Sequence, residues 1–208
     1  MATILIFGDS IVWGVADPKY GGWVSRLKTF IKTERNFEFD VYNLGISGDK
    51  TPSLLERFES ETKARIEENE ELIIIFAIGI NDSYFVHSKN DLMTPPEKFK
   101  ANIQKLIALA QKFSSKIIFV GLTPVDESKT TPIPWNTDKS HKNKYVKQYN
   151  GIISSICKNK NIPFVDIFNK WIESDYQNLL EDGLHPNSEG HKKIFEAVKE
   201  YLVKNKIV

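Results

Sequence analysis

The sequence predicts an α/β protein in which helices cover both faces of a parallel sheet. Short apolar runs alternate along the chain with segments of helical periodicity, as expected for strands joined by crossover helices. The longest run, residues 72–80, is well short of the roughly 18 residues that a membrane-spanning helix needs, so it predicts a buried strand. At 208 residues the chain is long enough to enclose its own core, and we expect a single domain over residues 1–208.

Five apolar runs are the predicted strands of this sheet. They span residues 3–7, 39–44, 72–78, 116–120 and 163–167. In doubly wound sheets, ligands bind beyond the carboxyl ends of the strands. Two long polar connections, residues 82–94 and 122–139, leave the sheet at that edge.

Three helices are predicted by apolar residues spaced three and four apart. Their stripes consist of Phe99, Ile103, Leu106, Ile107 and Ala110, then Tyr145, Tyr149, Ile152, Ile153 and Ile156, and last Ile194, Ala197, Val198 and Leu202. At the start of the first of these helices, Thr94 is placed to cap and Glu97 to complete a capping box. The lysines between residues 139 and 147 are assigned to the solvated face of a helix.

The composition argues against several classes of protein. Lys+Arg 28 against Asp+Glu 27 leaves a net charge of +1, which provides no field to attract nucleic acid or an anionic membrane. The first residues lack the charged segment and the cleavage site of a secretion signal. The single cysteine, Cys157, cannot form an intrachain disulfide and is interpreted as a small buried hydrophobe. We therefore expect a cytoplasmic protein without integral membrane association.

Polar and glycine-rich segments follow the predicted strands. Ser10 follows the first strand, Gly45 the second and Asn81 the third, while Asp182 and His185 precede the last helix. Acyl transfer needs a hydroxyl that attacks, an imidazole that takes its proton and a carboxylate that orients the imidazole. The N–H groups of Ser10 and Gly45 and the side-chain amide of Asn81 can then bind the oxyanion. A glycine at position 45 lets the backbone approach the substrate closely.

Other assignments of the polar residues are weaker. Ser47 also follows a strand, but the chain has no Gly-x-Ser-x-Gly nucleophile elbow. The stretch GISGDKT lacks the glycine spacing of a phosphate-binding loop, and no Gly-x-Gly-x-x-Gly follows the first strand, so we expect no nucleotide cofactor. His185 and His191 are not spaced to share a helix face, and we expect no metal site. His191 is interpreted as a residue of the last helix, and His87 and His141 as loop or helix-start residues.

Together the four segments resemble the motif blocks of the SGNH or GDSL hydrolases. Gly8-Asp9-Ser10-Ile11 is similar to the first block, and residues 43–51, 79–82 and 182–185 to the other three. The resemblance implies a flavodoxin-like, three-layer α/β/α fold with Ser10 as nucleophile, His185 as base and Asp182 as its partner. It also implies an oxyanion hole formed by Ser10, Gly45 and Asn81. Ile11 stands where the family name has leucine, and we expect this exchange of apolar side chains to affect packing only slightly.

The resemblance further implies a cofactor-independent serine esterase or acylhydrolase that cleaves a small-molecule carboxylic ester through an acyl-enzyme. Lysophospholipid cleavage, thioester hydrolysis and acyl transfer to an acceptor other than water would use the same residues. A non-catalytic binding module on the same frame is the non-enzymatic alternative. Trp13, Tyr84 and Trp135 lie near the blocks and are predicted substrate contacts, whereas Trp23 is predicted to pack at the start of the first long helix.

Overall fold

A five-stranded parallel sheet forms the centre of the computed structural model, which describes residues 2–34, 38–67 and 70–208. With strands numbered in chain order, this sheet consists of β1 (Ala2–Gly8), β2 (Phe39–Gly45), β3 (Glu71–Ala77), β6 (Lys116–Val120) and β8 (Phe164–Val165). Their order across the sheet is β2-β1-β3-β6-β8, and all neighbouring strands are parallel. The predicted fold class is therefore confirmed.

Helices cover both faces of this sheet. In chain order they are α1 (Ser10–Trp13), α2 (Gly22–Glu34), α3 (Thr51–Lys63), α4 (Pro96–Ala110), α5 (Glu127–Thr130), α6 (Asn143–Asn159), α7 (Phe168–Ile172), a 3₁₀ helix (Tyr176–Leu179) and α8 (Ser188–Lys204). Helices α2 and α8 pack on one face, and α3, α4 and α6 pack on the other. Within the described ranges, no helix is long and apolar enough to cross a bilayer.

The alternation of side chains along β1 separates the two cores. Ile6 belongs to the core beneath α2 and α8, whereas Phe7 belongs to the core beneath α3, α4 and α6. Trp23 is fully buried in the first core, as predicted for the start of α2. Cys157 is fully buried in the second, as also predicted, and burial raises the pKa of its thiol to about 12.

The last strand is shorter than the apolar run that predicted it. Only Phe164–Val165 pairs with β6, whereas the run covers residues 163–167. Asp166 then leaves the sheet, and its carboxylate accepts hydrogen bonds from the backbone N–H (3.1 Å) and the side-chain amide (2.6 Å) of Asn169 in α7. The last two residues of the run thus lie outside the sheet and lead into α7, which begins at Phe168.

The start of α4 also differs from the prediction. The helix begins at Pro96 with Pro95 as its N-cap, and no side chain caps it. Thr94 lies one residue before the N-cap, and its polar groups bind Asp82 instead. Its N–H donates to the Asp82 carbonyl oxygen (3.1 Å), and its hydroxyl bonds to the Asp82 carboxylate. The capping box predicted for Thr94 and Glu97 is therefore wrong.

The two long polar connections contain a second sheet that the sequence does not predict. It is antiparallel and consists of β4 (Phe85–Val86), β5 (Asp91–Leu92) and β7 (Lys139–Ser140), in the order β5-β4-β7. Strands of two residues are too short to show a periodic pattern. Lys139 thus lies in a strand, and assigning it to a helix face is wrong, since α6 begins only at Asn143.

Gly45 ends β2 at the point where α1 packs against it. A Cβ atom on Gly45 would lie 2.4 Å from the backbone nitrogen of Trp13 and 2.8 Å from the carbonyl oxygen of Asp9. Gly151, on the exposed side of α6, has no such neighbour within 4 Å. The absence of a side chain at position 45 is therefore what allows α1 to approach β2 this closely.

We expect Gly45→Ala to lower the free energy of unfolding by about 1–3 kcal/mol, because the backbone must shift to relieve the overlap. Gly151→Ala is the matched control and should raise it by up to about 1 kcal/mol, since alanine favours a helix. Urea unfolding followed by circular dichroism measures both changes. Equal effects of the two substitutions would contradict the packing assigned to Gly45.

Candidate active site

Ser10, His185 and Asp182 form a continuous hydrogen-bonded chain beyond the carboxyl end of β1. Ser10 Oγ lies 3.0 Å from His185 Nε2, and His185 Nδ1 lies 2.7 Å from Asp182 Oδ2. Ser10 is the first residue of α1, which Asp9 caps by accepting a hydrogen bond from the N–H of Ile11 (3.0 Å). The structure thus brings together the three residues that the sequence predicts for acyl transfer.

The loop before α8 fixes the Asp182 carboxylate in place. Its Oδ1 accepts hydrogen bonds from the N–H groups of Leu184 (2.9 Å) and His185 (2.8 Å), and Gly183 adopts a left-handed conformation with φ of 90°. Burial opposes ionisation of Asp182, but the hydrogen bonds from the ring and backbone of His185 outweigh it and lower the pKa to about 2. Asp182 is therefore a carboxylate at neutral pH and can accept a hydrogen bond from His185 Nδ1.

The glycine that faces this site is Gly48, and not Gly45 as predicted. The Gly45 N–H donates to Asn43 Oδ1 (3.0 Å), and Gly45 is packed against α1 outside the cavity that Ser10 lines. Gly48 lines that cavity together with Ser10 and Asn81, and its N–H bonds to no acceptor in the described part of the chain. The prediction for Gly45 is wrong because its N–H is already bonded within the protein.

Asn81 contacts the turn that carries Gly48. Its Nδ2 donates one hydrogen bond to the carbonyl oxygen of Asp49 (3.1 Å). Because an amide nitrogen carries two hydrogens, one remains for a ligand in the cavity. Asn81 therefore keeps one N–H donor, as its predicted role in an oxyanion hole requires.

Arg57 ties the same turn to the ends of two strands. Its Nε and Nη2 donate to Asp49 Oδ2 (2.9 and 2.7 Å), and Nη2 also donates to the carbonyl oxygens of Leu44 (2.9 Å) and Gly8 (3.2 Å). Both side chains of this ion pair are largely buried. The position of the turn after β2 is thus set by a charged pair that also binds the ends of β1 and β2.

A cavity of about 350 Å³ opens beside Ser10 and His185. Tyr84 and Trp135 line it, and the Trp135 ring lies 6.3 Å from the His185 ring. Trp13, at the end of α1, is not among the residues that line it, so the structure does not support Trp13 as a contact within the cavity. The remaining lining residues are Val15, Ser47, Gly48, Asn81, Ile133, Asn136, Lys139, His141 and Leu184.

Lys139 and His141 are among the residues of this cavity that sequence reasoning misses. The His141 ring meets that of Tyr84 edge to face, with centroids 5.6 Å apart. Burial, with added repulsion from His185 and Lys139, lowers the pKa of His141 to about 3, so the ring is neutral at physiological pH. No pattern in the sequence marks these residues, because they reach the site through the two-residue strand β7.

The other histidines have structural partners. His191 lies in α8 as predicted, where Nδ1 accepts a hydrogen bond from the Trp23 N–H (3.3 Å) and Nε2 lies 2.9 Å from the carbonyl oxygen of Val15. His87 Nε2 lies 2.8 Å from the hydroxyl of Ser140. Over residues 2–34, 38–67 and 70–208, no group of three or more His, Cys, Asp or Glu side chains could hold a metal ion.

A serine hydrogen-bonded to a histidine–aspartate pair is an arrangement that recurs in serine hydrolases of several folds. The sequence matches the GDSL-like Lipase/Acylhydrolase family over residues 6–193, a range that includes Ser10, Asp182 and His185. The chain belongs to this family.

Two proteins to which the chain is similar over most of its length are named as esterases. The chain is 23% identical to an arylesterase of Vibrio mimicus over 202 residues, covering 97% of this chain and 88% of that protein. It is 24% identical to an isoamyl acetate-hydrolyzing esterase of Saccharomyces cerevisiae over 205 residues, covering 90% and 80%. The crystal structure of a lipase/acylhydrolase from Enterococcus faecalis has the same fold, with a TM-score of 0.77, 22% identity and coverage of 97% and 95%.

Asp9 is a buried carboxyl group directly before Ser10. Burial raises its pKa to about 7, although the hydrogen bond from the Ile11 N–H and the proximity of His185 favour the charged form. The unfolded chain ionises this carboxyl near pH 3.8, so between pH 4 and 7 the unfolded state loses its proton first. Asp9 therefore destabilises the folded state progressively as the pH rises through this window.

We expect Asp9→Asn to become more stable than the wild type as the pH rises from 5 to 7, by up to about 2 kcal/mol, and the gain to level off above pH 7. Asparagine keeps an oxygen to cap α1 and cannot ionise. Asp138→Asn is the control, because hydrogen bonds from Ser88 lower the pKa of Asp138 and it does not titrate in this window. Urea unfolding at several pH values gives the comparison, and a flat Asp9→Asn difference would show that Asp9 is ionised in the folded state throughout.

Proposed function

We propose that this protein is a serine esterase that hydrolyses small carboxylic esters through an acyl-enzyme on Ser10. The observation that carries the proposal is the hydrogen-bonded chain from Ser10 Oγ through His185 to the Asp182 carboxylate, at the wall of the cavity. Esterase activity in the arylesterase and isoamyl acetate-hydrolyzing relatives supports the choice of substrate class.

The proton path follows from the hydrogen bonds. With its Nδ1–H donated to Asp182, His185 keeps an unprotonated Nε2 that accepts the Ser10 proton as Oγ attacks the ester carbonyl. When the bond between the carbonyl carbon and the leaving oxygen breaks, His185 returns that proton to the alcohol. Water then attacks the acyl-enzyme while His185 takes its proton, and His185 gives that proton to Ser10 Oγ as the carboxylic acid leaves.

The oxyanion of each tetrahedral intermediate requires donors in place before the reaction begins. We assign this role to the N–H groups of Ser10 and Gly48 and to Asn81 Nδ2, which line the same cavity. The Ser10 and Gly48 N–H groups have no acceptor in the described residues, and the Asn81 amide keeps one hydrogen. Gly48, with φ of 80° and open space around its Cβ position, can turn its N–H toward a substrate without a side chain in the way.

The size of the cavity favours a small ester over a long acyl chain. Its volume of about 350 Å³ lies at the lower end of the range for small-molecule sites. Ile133, Leu184 and Trp135 supply apolar wall. Short acyl groups such as acetyl fit this space, and we propose them as the preferred substrates over lysophospholipids.

Replacing Ser10 by alanine should lower kcat for p-nitrophenyl acetate by about 10⁴-fold or more, since both the nucleophile and the acyl-enzyme are lost. Ser47→Ala is the matched control, because Ser47 lines the same cavity without contacting His185, and it should lose less than about tenfold. Initial rates with acetyl, butyryl and octanoyl esters also report acyl preference, which should decline with chain length. Loss of activity in Ser47→Ala with retention in Ser10→Ala would assign the nucleophile to Ser47 instead.

Changing Arg57 to lysine should lower kcat about tenfold with little change in KM, because the turn carrying Gly48 loses its links to Leu44 and Gly8 and one oxyanion donor is misplaced. Arg26→Lys is the control: Arg26 forms a comparable buried pair with Asp17 (3.0 Å), away from that turn. Steady-state kinetics together with unfolding curves separate the two effects. Equal losses of kcat in both variants would mean that Arg57 contributes general stability only.

A further inference from the structure

The side chains that line the cavity beside Ser10 include a positive charge and no negative one. Among its lining residues, all within the described ranges, none is aspartate or glutamate, and the one lysine is Lys139. His141 is neutral because burial lowers its pKa to about 3. Asp182 lies behind the His185 ring and does not line the cavity. At neutral pH, the residues that line the cavity therefore include one lysine cation and no carboxylate.

The Lys139 ammonium forms no ion pair with a carboxylate in the described part of the chain. Its Nζ lies 4.6 Å from the centre of the Tyr84 ring, and no carboxylate in residues 2–34, 38–67 or 70–208 comes within ion-pair distance of it. Its neighbour Asp138 directs both carboxylate oxygens to the backbone N–H and hydroxyl of Ser88, each at 2.7 Å. The Asp138 carboxylate therefore binds Ser88 and not the Lys139 ammonium.

The backbone of Lys139 is held firmly. Its N–H donates to the carbonyl oxygen of Asn136 (3.0 Å), and its carbonyl oxygen accepts from the N–H of Ile133 (2.8 Å). Lys139 also pairs with Val86 in the small sheet. A lysine on a fixed backbone, stacked on an aromatic wall and unpaired, is suited to bind an anion that enters the cavity.

We propose that the esters hydrolysed by this site carry an anionic group, a carboxylate or phosphate, which Lys139 binds while the ester carbonyl lies at Ser10. The proposal rests on the esterase function proposed above and specifies its substrate class. Lys139 is a specificity-determining residue in this account, and takes no part in the proton transfers.

Two pairs of esters test the proposal and show on which side of the ester the charge belongs. On the alcohol side, 4-acetoxybenzoate is compared with its neutral methyl ester. On the acyl side, mono-4-nitrophenyl adipate is compared with its neutral methyl ester. Each kcat/KM is divided by the rate of the same ester with hydroxide, which removes differences in intrinsic reactivity.

In the wild type we expect the anionic member of at least one pair to be favoured by roughly tenfold, the scale of a charge-assisted hydrogen bond. Lys139→Gln should abolish that preference while leaving kcat/KM for neutral esters within about threefold. Lys142→Gln, which removes a nearby lysine that does not line the cavity, should keep the preference. The preference should also weaken as salt concentration rises. The proposal would be overturned if the ratio of corrected kcat/KM for anionic and neutral esters were the same in the wild type, Lys139→Gln and Lys142→Gln.

A binding measurement tests the inference without turnover. On a Ser10→Ala background, benzoate and neutral benzamide are titrated by tryptophan fluorescence, with Trp135 in the cavity wall as reporter. Lys139→Gln should weaken benzoate binding about tenfold and leave benzamide binding unchanged. If the wild type hydrolyses no ester, the esterase proposal fails, and this titration alone decides whether Lys139 binds anions. Equal benzoate affinity with and without Lys139 would refute the anion site.

Discussion

The site depends on one constraint, which is that β1, β2 and β3 all end at the same edge of the sheet and in register. Gly8 lies opposite Gly45 on one side and Ala77 on the other, so these three adjacent strands finish in register. Because parallel strands deliver their following segments to one edge, Ser10, Gly48 and Asn81 emerge beside each other although they are far apart in sequence. The loop before α8 then brings His185 across the same edge to within 3.0 Å of Ser10.

Charged pairs hold the loops at this edge. The Arg57–Asp49 pair binds the turn of Gly48, and the Arg26–Asp17 pair, which also bonds the backbone and hydroxyl of Ser188, joins the segment after α1 to the start of α8. Buried pairs of this kind contribute little net stability, because desolvation offsets their attraction. Their effect here is geometric: the first fixes the turn that carries Gly48, and the second fixes the segment after α1 against the start of α8.

Much of this arrangement is predictable from sequence, because strands and motif blocks have local signatures. The apolar runs predict the sheet, and the polar residues that follow them predict that Ser10, Asp182, His185 and Asn81 converge. The choice of Gly45 over Gly48 fails because sequence does not reveal that Asn43 already accepts the Gly45 N–H. Lys139 and His141 are missed for a related reason: they reach the cavity through strand pairing between two distant loops, which no local pattern encodes.

The most direct test of the account is a crystal structure of the protein inactivated with diethyl p-nitrophenyl phosphate. The phosphorus should be bonded to Ser10 Oγ, and its unsubstituted oxygen should lie within hydrogen-bond distance of the N–H groups of Ser10 and Gly48 and of Asn81 Nδ2. That result would establish both the nucleophile and the set of oxyanion donors. Phosphorylation of Ser47, or an oxygen turned away from Gly48 and Asn81, would contradict the account.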